Sequence, residues 1–405
     1  MNLNKRAGVI AVLVLSLFII PFGGSNEFQI TTDTSNQYHP RIYGDTVVWH
    51  DERKGDWDIY VYNISIGKEF QVTSNESDQL FPAIYEDTIV WYDRRKGDSC
   101  YIYGYNLYTK REFSVTDVEI RIEEVYSGLK PLEPYLAIYE DIVVWQDYRN
   151  GDWDIYGYNL STEKKFPIAI ERGDQFHVAI YKDVVVWGDN RNGNWDIYGY
   201  NISTRQIFPV ESYDKDQRRP TIYGNVVVWE DNRNGNWDIY SYDLSTRKKF
   251  QITTDTSDQF HPAVYEDIVV WEDHRNFIEE ESYICVYNHL TKDKVLITPN
   301  VGNHLRPEIY DGIVVWWDFR NGNPDIFGYC VSNRDNDGDG YTECDGDCND
   351  NDPQIYPGAQ EHCGKDYNCD RYIELCTGNL EISVVDSQGR IESSSVCGWA
   401  ISRRN

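Results

Sequence analysis

One sentence of sequence is written seven times in this chain. From Tyr181 to Asn201 it reads YKDVVVWGDNRNGNWDIYGYN, two runs of β-branched and aromatic residues around Asn192-Gly193-Asn194. Val, Ile, Trp and Tyr suit a pleated, half-buried surface, and Gly and Asn accept the positive φ of hairpin turns. The tryptophan recurs at Trp49, Trp91, Trp145, Trp187, Trp229, Trp271 and Trp316, at spacings of 42, 54, 42, 42, 42 and 45. A strand-rich period of this length predicts an all-β fold, a seven-bladed β-propeller with one four-stranded blade per repeat.

The bookkeeping of strands predicts how the ring closes. In blade six the four strands are read at 262–265, 268–271, 283–287 and 295–298. The last of the four recurs as Glu69-Phe70-Gln71-Val72-Thr73, Glu112 to Thr116 and Phe250 to Thr254. Blade seven runs out into Asp-rich sequence after Tyr329 without one, and Phe28 to Thr32 is such a strand with no repeat before it. The two deficits cancel if the N-terminal strand completes blade seven, which removes the exposed edge of a linear array. Residues 26–330 are then one propeller. Blade two departs from the pattern at Ser99-Cys100-Tyr101 and between Ser114 and Pro134, and blade six between Phe277 and Tyr283. Repeat insertions fall in loops, as neutral additions or as binding elements.

Before the propeller, Lys5 and Arg6 precede an apolar run from Ala7 to Ile20 and then Pro21 to Ser25. This pattern predicts a secretory signal over 1–25 or, if uncleaved, an anchor. No cysteine near it offers a site for acylation. An extracellular or cell-surface location follows. Asn-x-Ser sequons at Asn63, Asn75, Asn159 and Asn201 make it a candidate glycoprotein. The formal charge of −29 excludes a nucleic-acid role, which needs basic patches, and favours solubility and cations.

Every blade carries Asp-x-Arg after its Trp, from Asp51 and Arg53 to Asp318 and Arg320. Seven copies cannot serve one active site, so they predict ion pairs tying strand ends or neighbouring blades. Asp58, Asp154, Asp196 and Asp238 of Trp-Asp-Ile-Tyr are expected to bond turn amides. The pattern Tyr-x-Asp-x-Val-Val-Trp-x-Asp-x-Arg followed by Asp-Ile-Tyr resembles the TolB-like propellers, in the variant of cell-surface proteins. That resemblance covers about three quarters of the chain and implies a fold more than a function.

A site should lie where the copies disagree. At the start of each blade's first strand stand His39, Phe81, Tyr135, His177, Arg219, His261 and Arg306. The candidates are His39, His177, Arg219, His261 and Arg306, as polar lining of a wet channel or as a site for a metal or an anionic sugar. By position this ring is similar to the channel histidines of oligogalacturonate lyases, which hold a divalent metal and cleave acidic sugars by β-elimination. No motif accompanies that likeness.

The tail is a second unit, 331–376. Asp335, Asp337 and Asp339 alternate with Gly338 and Gly340, and carboxylates at positions 1, 3 and 5 with the Tyr341 carbonyl at 7 converge on a hard cation. Position 12 is Gly346, so this is no EF-hand, and Asp345 or Asp347 is available to complete the shell. Asp347, Asp350 and Asp352, with Asp366 and Asp370, form a second acidic group. All-oxygen ligands select Ca²⁺. Cys344, Cys348, Cys363 and Cys369 are disulfide candidates in a module too small for a large core, as are Cys376 and Cys397. The stretch resembles the MopE-type metal-binding motif over about 36 residues, but lacks its Asp after Cys363 and has Arg371 for its final Gly. Residues 377–405 read as a short β-like tail. These readings predict a secreted or cell-surface binding or adhesion platform, with a protein or glycan partner and a Ca²⁺-stabilised module. The alternative is a metal-dependent lyase or hydrolase acting on acidic polysaccharide at the channel.

Overall fold

A computed structural model describes residues 26–97, 100–116, 135–275, 281–300, 302–331, 337–342, 352–360 and 367–369, and the backbone of 380–385 and 391–396. The signal segment and the centres of both irregular loops lie outside the described residues.

Seven four-stranded antiparallel sheets form the blades. In blade one the inner strand Gln37–Tyr43 pairs with Thr46–Asp51, which pairs with Asp58–Asn63, which pairs with the outer strand Lys68–Gln71. Blade seven is completed from the other end of the chain. Glu27–Gln29 pairs with Asp325–Cys330 in the register Phe28↔Gly328, giving that sheet its fourth strand.

The second strands set the core. Their Val-Val-Trp segments (Ile89-Val90-Trp91 in blade two) are buried, and all seven tryptophans are fully so. Val48, Ile59 and Val61 of blade one pack on Ile84, Ile89 and Trp91 of blade two, so the apolar core is laid down between successive blades. In six blades the Trp is held by the chemistry that follows it. Trp187 Nε1 donates to Asp189 at 2.9 Å, and Arg191 donates its backbone N–H and Nε to the same carboxylate. The Arg191 guanidinium lies 4.4 Å over the Tyr198 ring. The Asp-x-Arg pairs therefore lock the hairpin inside one blade, where the sequence predicted ties between strand ends or blades. Ties beyond the hairpin use other carboxylates, such as Arg233 to Glu211 and, across the closure, Arg320 to Glu27. The Asp of Asp-Ile-Tyr binds side-chain amides more than turn amides: Asp238 accepts from Asn234, Asn236 and Gln251. Only a carboxylate this close to the Asn-rich loop can reach them.

A close approach repeats on the outer strands. Gly104, Gly157, Gly199 and Gly328 lie under Phe113, Phe166, Phe208 and Phe28. Blades one and five have Val61 and Ser241 at this position, and there Phe70 and Phe250 are each 44% exposed.

The turn geometry gives the ring two different faces. The second-to-third-strand loops, such as 52–57, and the outer-to-inner connections, such as 72–78, lie on one face. Tight turns such as 44–45 and 64–67 lie on the other. Asn63, Asn159 and Asn201 end the strands that lead into the third-to-fourth-strand turns, and each Oδ1 accepts a backbone N–H from its turn. The sequon asparagines have a turn-holding role, and Asn63 is buried. Cys100 and Cys285 are free and buried. In the tail Leu380–Val385 pairs with Ile391–Val396 as a hairpin.

Candidate functional site

The inner strands are not regular. Their register with the second strand shifts in six blades, at Tyr38/Arg41, Leu80/Ala83, Phe176/Ala179, Arg218/Thr221, Phe260/Ala263 and Leu305/Glu308. Each shift is a bulge, and the residue at its centre belongs to the variable ring. His39, Phe81, His177, Arg219, His261 and Arg306 all have φ between 49° and 57°. That left-handed region is unfavourable for a residue with a Cβ. Five of the six also precede proline, which further disfavours such a backbone. Strain of this kind costs of order 1–3 kcal/mol per residue and persists where the surroundings over-determine it.

Much of that over-determination comes from the preceding blade, through the residue just after its Trp. His50 Nδ1 accepts the Phe81 N–H at 3.2 Å, Gln146 Oε1 that of His177 at 3.0 Å, and Glu230 Oε1 that of His261 at 2.8 Å. Glu272 does the same for Arg306. Tyr92 Oη instead donates to the Tyr135 carbonyl at 3.1 Å, and Trp317 packs 5.1 Å from the His39 ring. The position reads His50, Tyr92, Gln146, Gly188, Glu230, Glu272 and Trp317. Sequence reasoning missed this second ring. The signal was present: it is the one variable place between the invariant Trp and the invariant Asp.

The bulges surround one central cavity of about 220 Å³, whose walls include His39, Tyr135, Arg219, His261 and Arg306, with Arg41 and Glu308. His177 belongs to the ring but not to this cavity. In the wall three guanidiniums, Arg41, Arg219 and Arg306, stand with one carboxylate, Glu308, which is ion-paired with Arg41. Behind them Glu230 accepts from Arg218 Nε at 2.7 Å and Arg219 Nη1 at 3.3 Å, and Glu272 Oε1 lies 2.9 Å from His261 Nδ1. Burial pushes the Glu230 carboxyl up, but Arg219 and Arg218 more than offset it and hold it below its usual range. Glu272 is likewise drawn down to about 2, burial being outweighed by His261, His274 and the Arg306 N–H. Burial and the charge of Arg41 bring Arg306 down to about 9, so it stays charged at neutral pH. Burial first, then neighbouring arginines, hold His39 and His177 neutral. The cavity is thus a positive spot within a protein of formal charge −29.

The three ring histidines do not converge. Among the described residues no group of three or more His, Cys, Asp or Glu side chains is arranged to hold a metal ion. His39 lies against His50 and Phe81, His177 against Tyr135, and His261 against Glu272.

No protein-family model matches the sequence, and no curated protein matches it. Solved structures do. An oligogalacturonate lyase from Vibrio parahaemolyticus is similar at 12% identity over 76% of this chain and 94% of its own, with a TM-score of 0.57. The β-propeller domain of the Trilobed protease from Pyrococcus furiosus, which has an open velcro topology, is similar at 12% identity over 74% and 94%, with a TM-score of 0.56. The likeness is one of fold. TolB from Acinetobacter baumannii is similar at 15% identity and a TM-score of 0.47, over 68% of this chain and 65% of its own. The chain spans about half, 49%, of a prolyl endopeptidase to which it is similar at 11% identity, over 75% of its own length, with a TM-score of 0.58.

In the acidic module, Asp337, Asp339, Tyr341 and Asp352 fall in described segments, while Asp335, Asp345, Asp347, Asp350, Asp366 and Asp370 lie outside the described residues. Gly338 and Gly340 have φ of 83° and 96° and fold the acidic loop back on itself. Asp339 N–H donates to Asp337 Oδ1, and Tyr341 N–H to Asp339 Oδ1 at 2.8 Å. Asp339 Oδ2 is shielded from solvent with no hydrogen-bond partner among the described residues, which fits a carboxylate kept for a cation. Ile355, Ala359 and Cys369 are each buried, and Tyr341 stacks on Tyr356 at 5.2 Å. Of the disulfide candidates Cys369 alone is described, and it is buried.

Proposed function

We propose that this chain is an exported, cell-surface propeller that binds a protein or glycan partner at the central cavity. The observation that carries this reading is the ring of strained, non-glycine residues around one cavity. The copies of the repeat agree wherever they hold the fold and differ where they meet this space. Both irregular segments support the same face: Thr116 and Tyr135 flank one, Arg275 and Glu281 the other, and all four lie on the side of the bulges. The test is a protein and glycan array probed with the full chain and with His39→Ala and Arg306→Ala variants. Partner signals lost in both variants support the reading. Signals indifferent to both overturn it.

The acidic module is read as a Ca²⁺ site that Asp335, Asp337, Asp339 and the Tyr341 carbonyl would hold, with Asp345 or Asp347 completing the shell. Asp347, Asp350, Asp352, Asp366 and Asp370 are candidates for a second ion. When bound, Ca²⁺ supplies cross-linking charge to a segment with little apolar core.

A second reading, lyase or hydrolase chemistry on acidic polysaccharide, draws on the positive cavity and the fold shared with an oligogalacturonate lyase. It requires His39, His177 and His261 to act together on one substrate, which their separate surroundings do not favour. Unsaturated sugar ends released from polygalacturonate would establish the lyase form, and new reducing ends without unsaturation the hydrolase form.

A further inference from the structure

We infer that the central channel is a blind cup, floored by a ring of seven tyrosines and open only on the bulge face, and that it takes one carboxylate-bearing end of a ligand. This rests on the binding reading above and adds its face, direction and chemistry.

The floor comes from the last residue of each inner strand: Tyr43, Tyr85, Tyr139, Tyr181, Tyr223, Tyr265 and Tyr310. In blade one it lies four residues beyond the bulge, roughly 13 Å along an extended strand. Each ring touches the next around the whole circle, at centroid separations from 4.4 to 5.0 Å. Neighbouring planes differ by 40° to 57°, close to one seventh of a turn. Seven planes related in that way stand along the channel axis like the leaves of an iris. Burial pushes Tyr85 and Tyr223 up to about 12. The cavity ends before the tyrosine ring, since none of the seven lines its wall.

The chemistry comes from the opposite end. Arg219 Nε is shielded from solvent and has no hydrogen-bond partner among the described residues. A buried donor left unmade is costly, and an anionic oxygen is the strongest acceptor to relieve it. The backbone N–H groups of Phe81, His177, His261 and Arg306 are already bonded, so recognition falls to side chains. A volume of about 220 Å³ equals about seven waters. That admits one terminal unit of a ligand, and the floor stops a chain from threading through.

Titration calorimetry on the full chain tests the anion. Its probes are glucuronate against glucose, and a tripeptide with a free against an amidated C terminus. Binding by the charged member of either pair is expected, and the pair that responds names the source of the carboxylate. Arg219→Met, checked for unchanged thermal unfolding, should weaken that binding roughly 10-fold or more. No binding by either charged probe, or unchanged affinity in a folded Arg219→Met, overturns the anion assignment. A Thr221→Cys variant, read against labelling of the unsubstituted chain, tests the floor, because Thr221 lies in the cavity wall and the free cysteines among the described residues are buried. Saturating the cup with the bound probe should stop labelling of Cys at 221 by a small methanethiosulfonate. Labelling that continues at its original rate means that a second entrance exists. An array partner lost in the ring variants yet not displaced by the carboxylate probes leaves the binding reading standing and sinks this inference alone.

Discussion

Phe28 lies flat against Gly328 across the joint where the two ends of the propeller meet. A Cβ placed on Gly328 would stand 2.5 Å from Phe28 Cζ. The contact repeats the one between Phe208 and Gly199 inside blade four. The closing strand therefore uses the same packing as an internal blade. Gly328→Val should displace the ring and weaken the closure by about 1–3 kcal/mol. Thermal unfolding checks it, and an unchanged midpoint would count against the closure being held this way.

The seven Trp-Asp-Arg units are not equal, and their loss should not cost the same. In blade four Asp189 serves Trp187, Arg191 and the loop backbone. In blade six Cys285 replaces the usual Tyr, Trp271 Nε1 has no partner among the described residues, and Arg275 is 42% exposed. Asp189→Ala leaves a buried donor and a cation unpaired, which costs roughly 3–5 kcal/mol. Asp273→Ala should cost clearly less. Denaturant melts of the two variants decide the order.

Acid should loosen the fold well before the carboxylates titrate. Burial holds His50 down to about 3, so it is neutral in the folded ring and accepts the Phe81 N–H. An unfolded histidine gains its proton near pH 6.5. Between those values the unfolded chain binds more protons, so stability falls as pH drops from about 6.5 towards 3. His39 and His177 act in the same direction. Glu272, held down to about 2, adds a further loss below about pH 4.5. The slope of melting temperature against pH in this window should be shallower in His50→Gln. An equal slope would exclude His50 as a contributor.

Chelation separates the two units. Removing Ca²⁺ should expose 331–376 to limited proteolysis and leave the unfolding of the propeller in place. Asp339→Asn should mimic part of this effect with Ca²⁺ present. Equal cleavage with and without chelator would count against the calcium reading.

The blade count and the closing strand were legible because both are written as repetition: a period, and a deficit at one end that matches a surplus at the other. The variable ring was legible for the same reason. Its geometry was not. Nothing in the letters says that His39 or Arg219 takes up a left-handed backbone, since sequence statistics reserve that conformation largely for glycine. The strain is set by a bulge and by side chains one blade away. The ring from His50 to Trp317 escaped notice because it lies beside a repeated Trp that draws attention to itself. The seven tyrosines were read as part of a motif, and only three-dimensional closure turns a repeated Tyr into a floor.

The closing strand also imposes a schedule. Glu27 and Tyr329 are neighbours in one sheet, yet nearly the whole propeller separates them along the chain. That pairing is among the most non-local contacts in the ring, and such contacts form late because the intervening loop must first be gathered in. While the chain is being made, blade seven cannot obtain its outer strand until the strands after His304 exist. The first residues to leave the ribosome in the propeller are thus among the last to find their place. Until they do, Asp325–Cys330 presents a bare edge on which a second copy could seat its own Phe28.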